Sequence, residues 1–185
     1  MRLLFTFFLL FFSVALFSQR KNKQTTYASI TGQFGVYKNE NTLFGGSIQA
    51  GSKVDKAVGV GLGVDILKFK KINSPYIPLY LDFRFFLNPG KKTQTFFMIQ
   101  PGYGLHDYNS TFSAGPATAT VSGKGGFYFG AGFGLQGRSK GTPIITFRYC
   151  SYAFDYKYGG NYTPNDLSAI SSRTGALVVN AGISF

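Results

Sequence analysis

The sequence predicts an all-β chain, and more narrowly an eight-stranded antiparallel up-and-down transmembrane β-barrel. Apolar residues alternate with polar or small ones along eight segments, aromatic residues and glycine are abundant, and charged residues are few. The 185 residues include 21 Phe, 12 Tyr and 24 Gly, and only 14% of them are charged. Glycine and the β-preferring aromatic residues are poor helix formers, and soluble domains usually carry about a quarter of charged residues. A chain of this length is accounted for by one domain.

The first segment of the chain predicts an export signal. Arg2 provides a basic start, residues 3–17 are almost all apolar, and Ser18 begins a polar stretch. An apolar run of this length is typical of signal peptides and is shorter than the roughly 20 residues that cross a bilayer as a helix. We therefore assign residues 1–18 to a cleaved signal peptide and residues 19–185 to an outer-membrane β-barrel domain. An uncleaved anchor is the alternative.

Four of the eight segments show the two-residue period clearly. Their alternating apolar positions run from Val58 to Ile66 in the third segment, Ile77 to Leu87 in the fourth, Phe127 to Leu135 in the sixth and Leu177 to Phe185 in the last. Because successive side chains of a strand point to opposite faces, each segment has one apolar face and one polar or small face. The period therefore predicts strands here.

Weaker alternations complete the set of eight. They lie at Ala28–Val36, Phe44–Ala50, Phe97–Leu105 and Ile145–Tyr149. Pro78 and Pro101 fall inside two of the predicted strands, where each removes a hydrogen-bond donor from the ladder. Next to these two prolines the sequence pattern specifies the pairing register of the strands less firmly than elsewhere.

The connections alternate between short turns and longer loops. Short turns are predicted at 53–56, 88–92 and 137–142, long loops at about 106–124 and 155–173, and shorter loops near 38–42 and 68–75. Odd-numbered strands then run towards the loops, and both ends of the barrel domain lie on the turn side. In outer-membrane barrels that side is periplasmic and the long loops are extracellular.

The distribution of glycine favours a membrane barrel over a soluble one. On the third and sixth segments the residues opposite the large apolar ones are mostly glycine, at positions 59, 61, 63, 130, 132 and 134. Bare glycine is a poor solvent-facing coat for a strand, whereas the narrow lumen of an eight-stranded barrel needs small residues. The glycines are therefore expected to face inwards and the large apolar side chains to face lipid. A soluble periplasmic barrel with an apolar interior is the alternative.

Charged and amide side chains share the predicted lumen face. The set is Asp65, Asp82, Arg84, Arg148, Gln100 and Gln136, and Gln49 lies on the same face. A charged group in a narrow lumen must be paired or hydrogen-bonded, so these residues are expected to form a polar network that fills the barrel. A narrow conducting pore is the alternative, which the small bore of eight strands disfavours.

Aromatic residues are concentrated around the last predicted loop. The candidates for an aromatic loop surface are Tyr152, Phe154, Tyr156, Tyr158 and Tyr162. Tyrosine offers a broad contact area at low entropic cost, so such a surface would suit a binding partner or a glycan. The alternative is that these rings belong to the aromatic belt at the membrane interface.

The sequence contains little that indicates catalysis or cofactor chemistry. His106 is the only histidine, and with Asp107, Ser110 and Ser113 nearby it is the one candidate for a lipid-modifying hydrolase, although no spacing fixes a triad. A lone cysteine, Cys150, allows no internal disulfide and no cysteine-based metal site. We therefore predict no catalytic residues, no metal and no cofactor. The net charge of +12 falls largely in turns and beside loops. Solvated turns are one interpretation of these residues, and an interface with anionic lipid head groups is the other. We expect no nucleic-acid partner.

Two stretches carry a resemblance to a known class of proteins. Residues 76–105 and the ending LVVNAGISF resemble the small outer-membrane β-barrel domain proteins of the OmpA/OmpX-like and PorT-like class. The resemblance implies a location in the cell outer membrane, contact with outer-membrane lipid and lipopolysaccharide, and a terminal Phe185 read by the barrel-assembly machinery. It implies no shared reaction.

A non-enzymatic structural or interaction role, acting through the extracellular loops, is the function that we expect from this class and these residues. The alternatives are an outer-leaflet lipid-modifying enzyme, a narrow pore, and a PorT-like component of secretion or surface assembly. The sequence leaves open which partner the loops bind.

Overall fold

The chain folds into eight long β-strands. The computed structural model describes residues 26–37, 41–70, 74–89, 91–114, 117–137, 139, 141–160 and 169–185. The strands are β1 (Thr26–Tyr37), β2 (Asn41–Lys53), β3 (Val58–Phe69), β4 (Tyr76–Phe86), β5 (Thr93–Ala114), β6 (Ala117–Gly137), β7 (Thr142–Gly160) and β8 (Ala169–Ser184). The predicted signal peptide at residues 1–18 lies outside the described residues.

All eight strands belong to one closed antiparallel sheet. Each strand pairs with its neighbours in sequence, and β8 returns to pair with β1. The predicted fold class, an eight-stranded up-and-down barrel, is thereby confirmed. The start of β1 and the end of β8 lie at the same end of the barrel as the short connections after β2, β4 and β6. Among the described residues, no helix is long and apolar enough to cross a membrane.

The second half of the barrel is much taller than the first. Strands β1 to β4 have 11 to 13 residues, whereas β5 has 22, β6 has 21, β7 has 19 and β8 has 16. The prediction of long loops at 106–124 and 155–173 is therefore wrong over most of these ranges. In the first of these ranges, Ser- and Thr-rich residues of β5 and β6 pair with each other, as in Thr111 with Thr120 and Ser110 with Val121. Because β-branched residues suit strands, and a paired backbone satisfies its own polar groups, this stretch extends the sheet.

Large apolar side chains face outwards on every strand. Exposed members are Ile30 and Phe34 of β1, Phe44 and Ile48 of β2, Leu62 and Ile66 of β3, Leu79 and Phe85 of β4, Phe97 and Leu105 of β5, Phe127 and Phe133 of β6, Ile145 and Phe147 of β7, and Leu177 and Ile183 of β8. The alternate positions are buried, and many of them are polar. The barrel is thus inverted relative to a soluble protein, with its apolar side chains outside.

Both prolines interrupt a ladder without shifting it. Pairing of β3 with β4 is broken beside Pro78, and pairing of β4 with β5 is broken beside Pro101. The register is the same on either side of each break, because the neighbouring pairs hold the strands in place. The backbone N–H that proline lacks therefore removes only the ladder hydrogen bonds beside it.

Two bulges lie side by side near the tall end of the barrel. Between Tyr103 and Asp107 strand β5 advances four residues while β6 advances three, so β5 carries one extra residue. Strand β6 carries one extra residue against β7 between Gly125 and Tyr128. Bulges bend and twist the strands that hold them, and these two mark the height at which the tall sheet leaves the barrel.

The lumen contains aromatic residues as well as polar ones. One cluster of buried rings lies in the half of the barrel nearer the tall end and includes Phe69, Tyr76, Tyr128, Tyr152 and Phe154. A smaller cluster near the short turns consists of Phe86, Phe96, Met98 and Ile144. The polar network that was expected to fill the barrel therefore shares the lumen with these rings. The glycines do face inwards as predicted. Gly59, Gly63 and Gly134 make room for rings, because a Cβ atom at each would meet one.

Gly63 gives a direct test of that role. A Cβ atom at Gly63 would overlap the Tyr80 ring, whose hydroxyl is held by Asp65 and Gln49. We expect Gly63→Ala to lower the free energy of unfolding by about 1–3 kcal/mol through overpacking. The matched control is outward-facing Gly32, where the nearest atom to an added Cβ is 3.9 Å away, so Gly32→Ala should leave stability unchanged or slightly improved. Urea titration of the folded barrel measures both, and equal effects would contradict the packing of Tyr80 on Gly63.

Candidate functional site

The six polar residues predicted for the lumen are brought together inside the barrel. Asp65 lies on β3, Asp82 and Arg84 on β4, Gln100 on β5, Gln136 on β6 and Arg148 on β7. All six are buried, and both aspartates and Arg84 are completely inaccessible. Alternation explains why they meet, since each occupies the same face of its strand as the inward glycines.

Arg84 is the centre of the network on the side of the short turns. Its Nε donates to the Asp82 Oδ2 atom at 2.7 Å, and its Nη1 donates to the Gln136 Oε1 atom at 3.1 Å. The Nη2 group donates to the Gln49 side chain. The guanidinium carbon lies 4.3 Å from the centre of the Tyr27 ring, whose hydroxyl donates to Asp82 at 3.2 Å. The cation is thus both ion-paired and stacked.

Arg148 is the corresponding centre on the side of the tall end. Its Nη2 donates to the Asp65 Oδ2 atom at 3.1 Å and to the Gln33 Oε1 atom at 2.7 Å. When the Asn180 amide is oriented so that both its oxygen and its nitrogen have partners, the oxygen lies 2.9 Å from the Arg148 Nε and Nη2 atoms. The other Asp65 oxygen accepts from the Tyr80 hydroxyl at 2.6 Å.

Two glutamines join these centres into one closed ring of side chains. Gln100 donates to Asp82 at 2.9 Å and accepts from the Arg148 Nη1 group at 2.7 Å. Gln49 accepts from Arg84 and donates to the Tyr80 hydroxyl at 2.9 Å. The ring contains two arginines and two aspartates, so its formal charges cancel. A neutral, fully connected network inside the lumen acts as a polar plug that braces the barrel from within.

Sequence reasoning missed several members of this network. Tyr27, Gln33, Tyr80 and Asn180 all contact the charged residues, yet only their position on the inward face distinguishes them in the sequence. Counting alternate residues along each strand would have indicated which side chains face inwards. It would not have indicated which strands meet across the lumen.

Two members of the predicted aromatic loop surface lie inside the barrel instead. Tyr152 is fully buried and Phe154 is 2% exposed, because both continue the inward face of β7 beyond Arg148. Tyr156 is half-buried and stacks on Phe154 with ring centres 6.2 Å apart. The side chain of Tyr158 and the whole of Tyr162 lie outside the described residues. The prediction that Tyr152 and Phe154 form part of an exposed surface is therefore wrong. These rings belong to the interior aromatic cluster.

His106 belongs to the same cluster and is not placed for hydrolysis. Its ring packs on Tyr76 and Phe154, and its Nδ1 atom lies 3.1 Å from the Pro75 carbonyl oxygen. Asp107 follows on the opposite, exposed face of β5, and Ser110 lies four residues, or about 13 Å, further along the strand. The structure does not bring these residues together as an acid, base and nucleophile.

The outer surface changes from apolar to charged at the height of the bulges. Asp107 on β5 pairs with Lys124 on β6, which pairs with Asp155 on β7, and all three side chains are exposed. Arg173 of β8 is also exposed, two residues from Ser171, the register partner of Asp155. Below this row the outward side chains are apolar, and above it they are mainly Ser, Thr, Asn and Lys.

Phe185 follows the end of β8 at the closing seam of the barrel. Its backbone N–H donates to the Ala28 carbonyl at 2.7 Å, and the Ala28 N–H donates to the Phe185 carbonyl at 3.2 Å. Its side chain is exposed on the outer, apolar face. The predicted assembly signal thus lies at the junction between the first and last strands.

One comparison with a solved structure, that with AlkL, supports the fold. No protein-family model matches the chain, and no curated protein matches it. Among solved structures, the outer-membrane protein AlkL in lipid bilayers matches with a TM-score of 0.51 and 12% identity over 89% of this chain and 90% of that one. A major outer-membrane protein of Thermus thermophilus matches with a TM-score of 0.48, 12% identity and coverage of 85% and 99%. Neisserial surface protein A matches with a TM-score of 0.46, 9% identity and coverage of 89% and 100%.

Proposed function

We propose that this protein is a small outer-membrane β-barrel that anchors and displays a tall four-stranded sheet at the cell surface. The observation that carries the proposal is the inverted barrel, with apolar side chains outside and a closed ionic network inside. Only a surrounding apolar solvent makes so much exposed hydrocarbon favourable. Closure of the sheet is also what lipid requires, because it leaves no backbone edge unpaired within the barrel wall.

The height of the apolar band suits a bilayer. On β4 and the residue that follows it, the outward apolar residues run from Ile77 to Leu87. These ten residue steps span about 33 Å along the strand, or about 25 Å along the axis at a tilt near 40°. Exposed Lys91 and Lys92 lie below the band, and the charged row containing Asp107 and Lys124 lies above it. The band therefore has a polar border at each end, as a membrane barrel needs.

The tall sheet favours an interaction role over a purely mechanical one. Towards the tall end, His106 is the last β5 residue that pairs with β4, and Ala176 is the last β8 residue that pairs with β1. Beyond these positions β5 and β8 each have one neighbouring strand among the described residues. In the described part of the chain no strand covers these edges, although the Asp107 carbonyl accepts from the Ser74 hydroxyl, and their backbone groups can pair with an extended partner chain. The plugged lumen beneath is better suited to holding this sheet rigid than to conduction.

The orientation and partners follow from the same proposal. Both ends of the barrel domain and the short turns would be periplasmic, and the tall sheet extracellular, in contact with lipopolysaccharide. Phe185 at the barrel seam would serve as the signal for the barrel-assembly machinery.

Cysteine labelling in intact cells tests both location and orientation. Native Cys150 is buried, so it provides a low background for a membrane-impermeant maleimide. We expect Asn109→Cys, on the exposed face of tall β5, to be labelled in intact cells. Lys56→Cys, in an exposed turn at the other end, should be labelled only after the outer membrane is broken.

Membrane fractionation and a heat-modifiable gel shift provide the control for this experiment. The wild type and both variants should sediment with the outer membrane and migrate faster when unheated. Recovery in the soluble fraction without detergent would contradict the membrane location, and labelling of Lys56→Cys alone would reverse the orientation.

A further inference from the structure

A groove on the outer wall lies where the two bulges meet. It has a volume of about 580 Å³ and is open to the outside between β4, β5 and β6. Its lower wall is apolar and is formed by Ile77, Tyr103 and Leu105, while Ser74, Asp107 and Lys124 border its upper part. The Tyr103 hydroxyl fixes one side by donating to the Gly125 carbonyl at 2.9 Å.

The groove is amphipathic in the direction of the membrane normal. Its apolar part belongs to the outward band, and its polar part belongs to the charged row at the border of that band. A molecule that fits both parts needs a hydrocarbon portion below and a polar head above. Membrane lipids have this form, whereas a soluble metabolite has no reason to bury hydrocarbon here.

Lys124 is the groove-lining side chain that can meet an anionic head group. Lys124 takes part in neither of the ion pairs that the described residues form, both of which lie inside the lumen, although Asp107 is its direct partner in the β5–β6 register. Exposed Lys68 lies one residue beyond the last β3–β4 pair, which places it opposite groove-lining Pro75. Lys124 is therefore the lysine that lines the groove, with Asp107 and Asp155 as its cross-strand neighbours, and Lys68 lies beside the groove.

We propose that this groove binds a phosphorylated membrane lipid, with an acyl chain over Tyr103 and Leu105 and the phosphate beside Lys124. The inference rests on the proposed membrane location and adds a specific lipid site to it. Bulges supply the site because the extra residues bend β5 and β6 and leave a depression in an otherwise continuous wall. A lysine that keeps its charge unpaired at the apolar border is suited to a lipid phosphate.

The absence of tryptophan from the sequence allows a direct test. Leu105→Trp places a single fluorophore in the groove, and Leu177→Trp places one on the outer face of β8, away from it. Each variant is refolded into phosphatidylcholine vesicles that contain the same small fraction of either brominated phosphatidylglycerol or brominated phosphatidylcholine. We expect the anionic lipid to quench Leu105→Trp with about fivefold preference, the effect of one lysine near an anionic lipid, and to show no comparable preference at Leu177→Trp.

Second-site variants assign the preference to the groove. Adding Lys124→Gln to Leu105→Trp should abolish the preference, while adding Lys157→Gln, an exposed lysine of β7 outside the groove, should preserve it. If Leu105→Trp does not fold, Ile77→Trp provides the fluorophore from the opposite wall.

The outcomes separate this inference from the membrane location. Equal quenching by both lipids at a membrane-buried Leu105→Trp, with or without Lys124, would overturn the lipid site and leave the membrane barrel intact. No quenching by either lipid at both tryptophans would overturn the membrane location as well. Preference for the anionic lipid that survives Lys124→Gln would also refute the assignment of the phosphate to Lys124.

Discussion

Arg148→Met is expected to lower the free energy of unfolding by about 3–5 kcal/mol, enough to prevent folding of a marginally stable barrel. Arg148 is fully enclosed and is the only cation that pairs with Asp65 among the described residues. Its loss leaves a buried carboxylate whose remaining strong partner is the Tyr80 hydroxyl. It also removes the donors that satisfy the Gln33 and Gln100 side-chain oxygens.

A double variant shows whether the cost arises from the unpaired charge. Arg148→Met combined with Asp65→Leu removes both members of the ion pair, so most of the lost stability should return. Arg173→Met, which removes an exposed arginine at the rim, is the matched control and should change stability by less than about 0.5 kcal/mol. Urea titration in detergent micelles measures all three. A double variant no more stable than Arg148→Met would show that the network acts by shape and not through its charges.

Phe147→Arg is expected to cost about 2–4 kcal/mol, the second large effect. Phe147 lies on the outer face of β7 within the apolar band, with its ring stacked 5.3 Å from that of Phe133. Arginine there would place a charge near the bilayer midplane, where the cost of a charge on the lipid face is greatest. The measurement is urea unfolding of the protein refolded in lipid vesicles.

An arginine introduced in the charged row provides the control. Asp155→Arg lies on the same strand and the same outer face, but in the charged row above the band, where the cost should fall to about 0–1 kcal/mol. Equal costs at the two positions would mean that the band is not embedded in lipid. A cost at Phe147 that persists without lipid, in a form that still folds, would indicate loss of ring packing alone.

The sequence determined the strands and the direction in which their side chains point. The alternation from Ile77 to Leu87 indicates one strand with one apolar face, because side chains of a strand alternate between two faces wherever the strand lies. The inward positions of Asp82, Arg84 and Arg148 follow from the same rule. Neither conclusion requires knowledge of which strands are neighbours.

The ends of the strands depended on pairing between distant segments. Residues 109–114 and 117–122 have the Ser- and Thr-rich composition of a loop. Their strand conformation comes from pairing such as that between Thr111 and Thr120 and between β6 and β7. The inward position of Tyr152 and Phe154 likewise depended on how far the sheet extends. Their aromatic composition suits a binding surface equally well, until the continuation of β7 beyond Arg148 puts them in the lumen.

The pattern of the sequence thus determined a closed barrel with its apolar side chains outside. Only the tertiary structure decided that Arg84 and Arg148 join one ring through Gln49 and Gln100, and that a groove opens beside Lys124. The physical reason is that alternation is a local property of each strand. Contacts across the lumen, and depressions in the wall, depend on how the closed sheet staggers, bends and bulges as a whole.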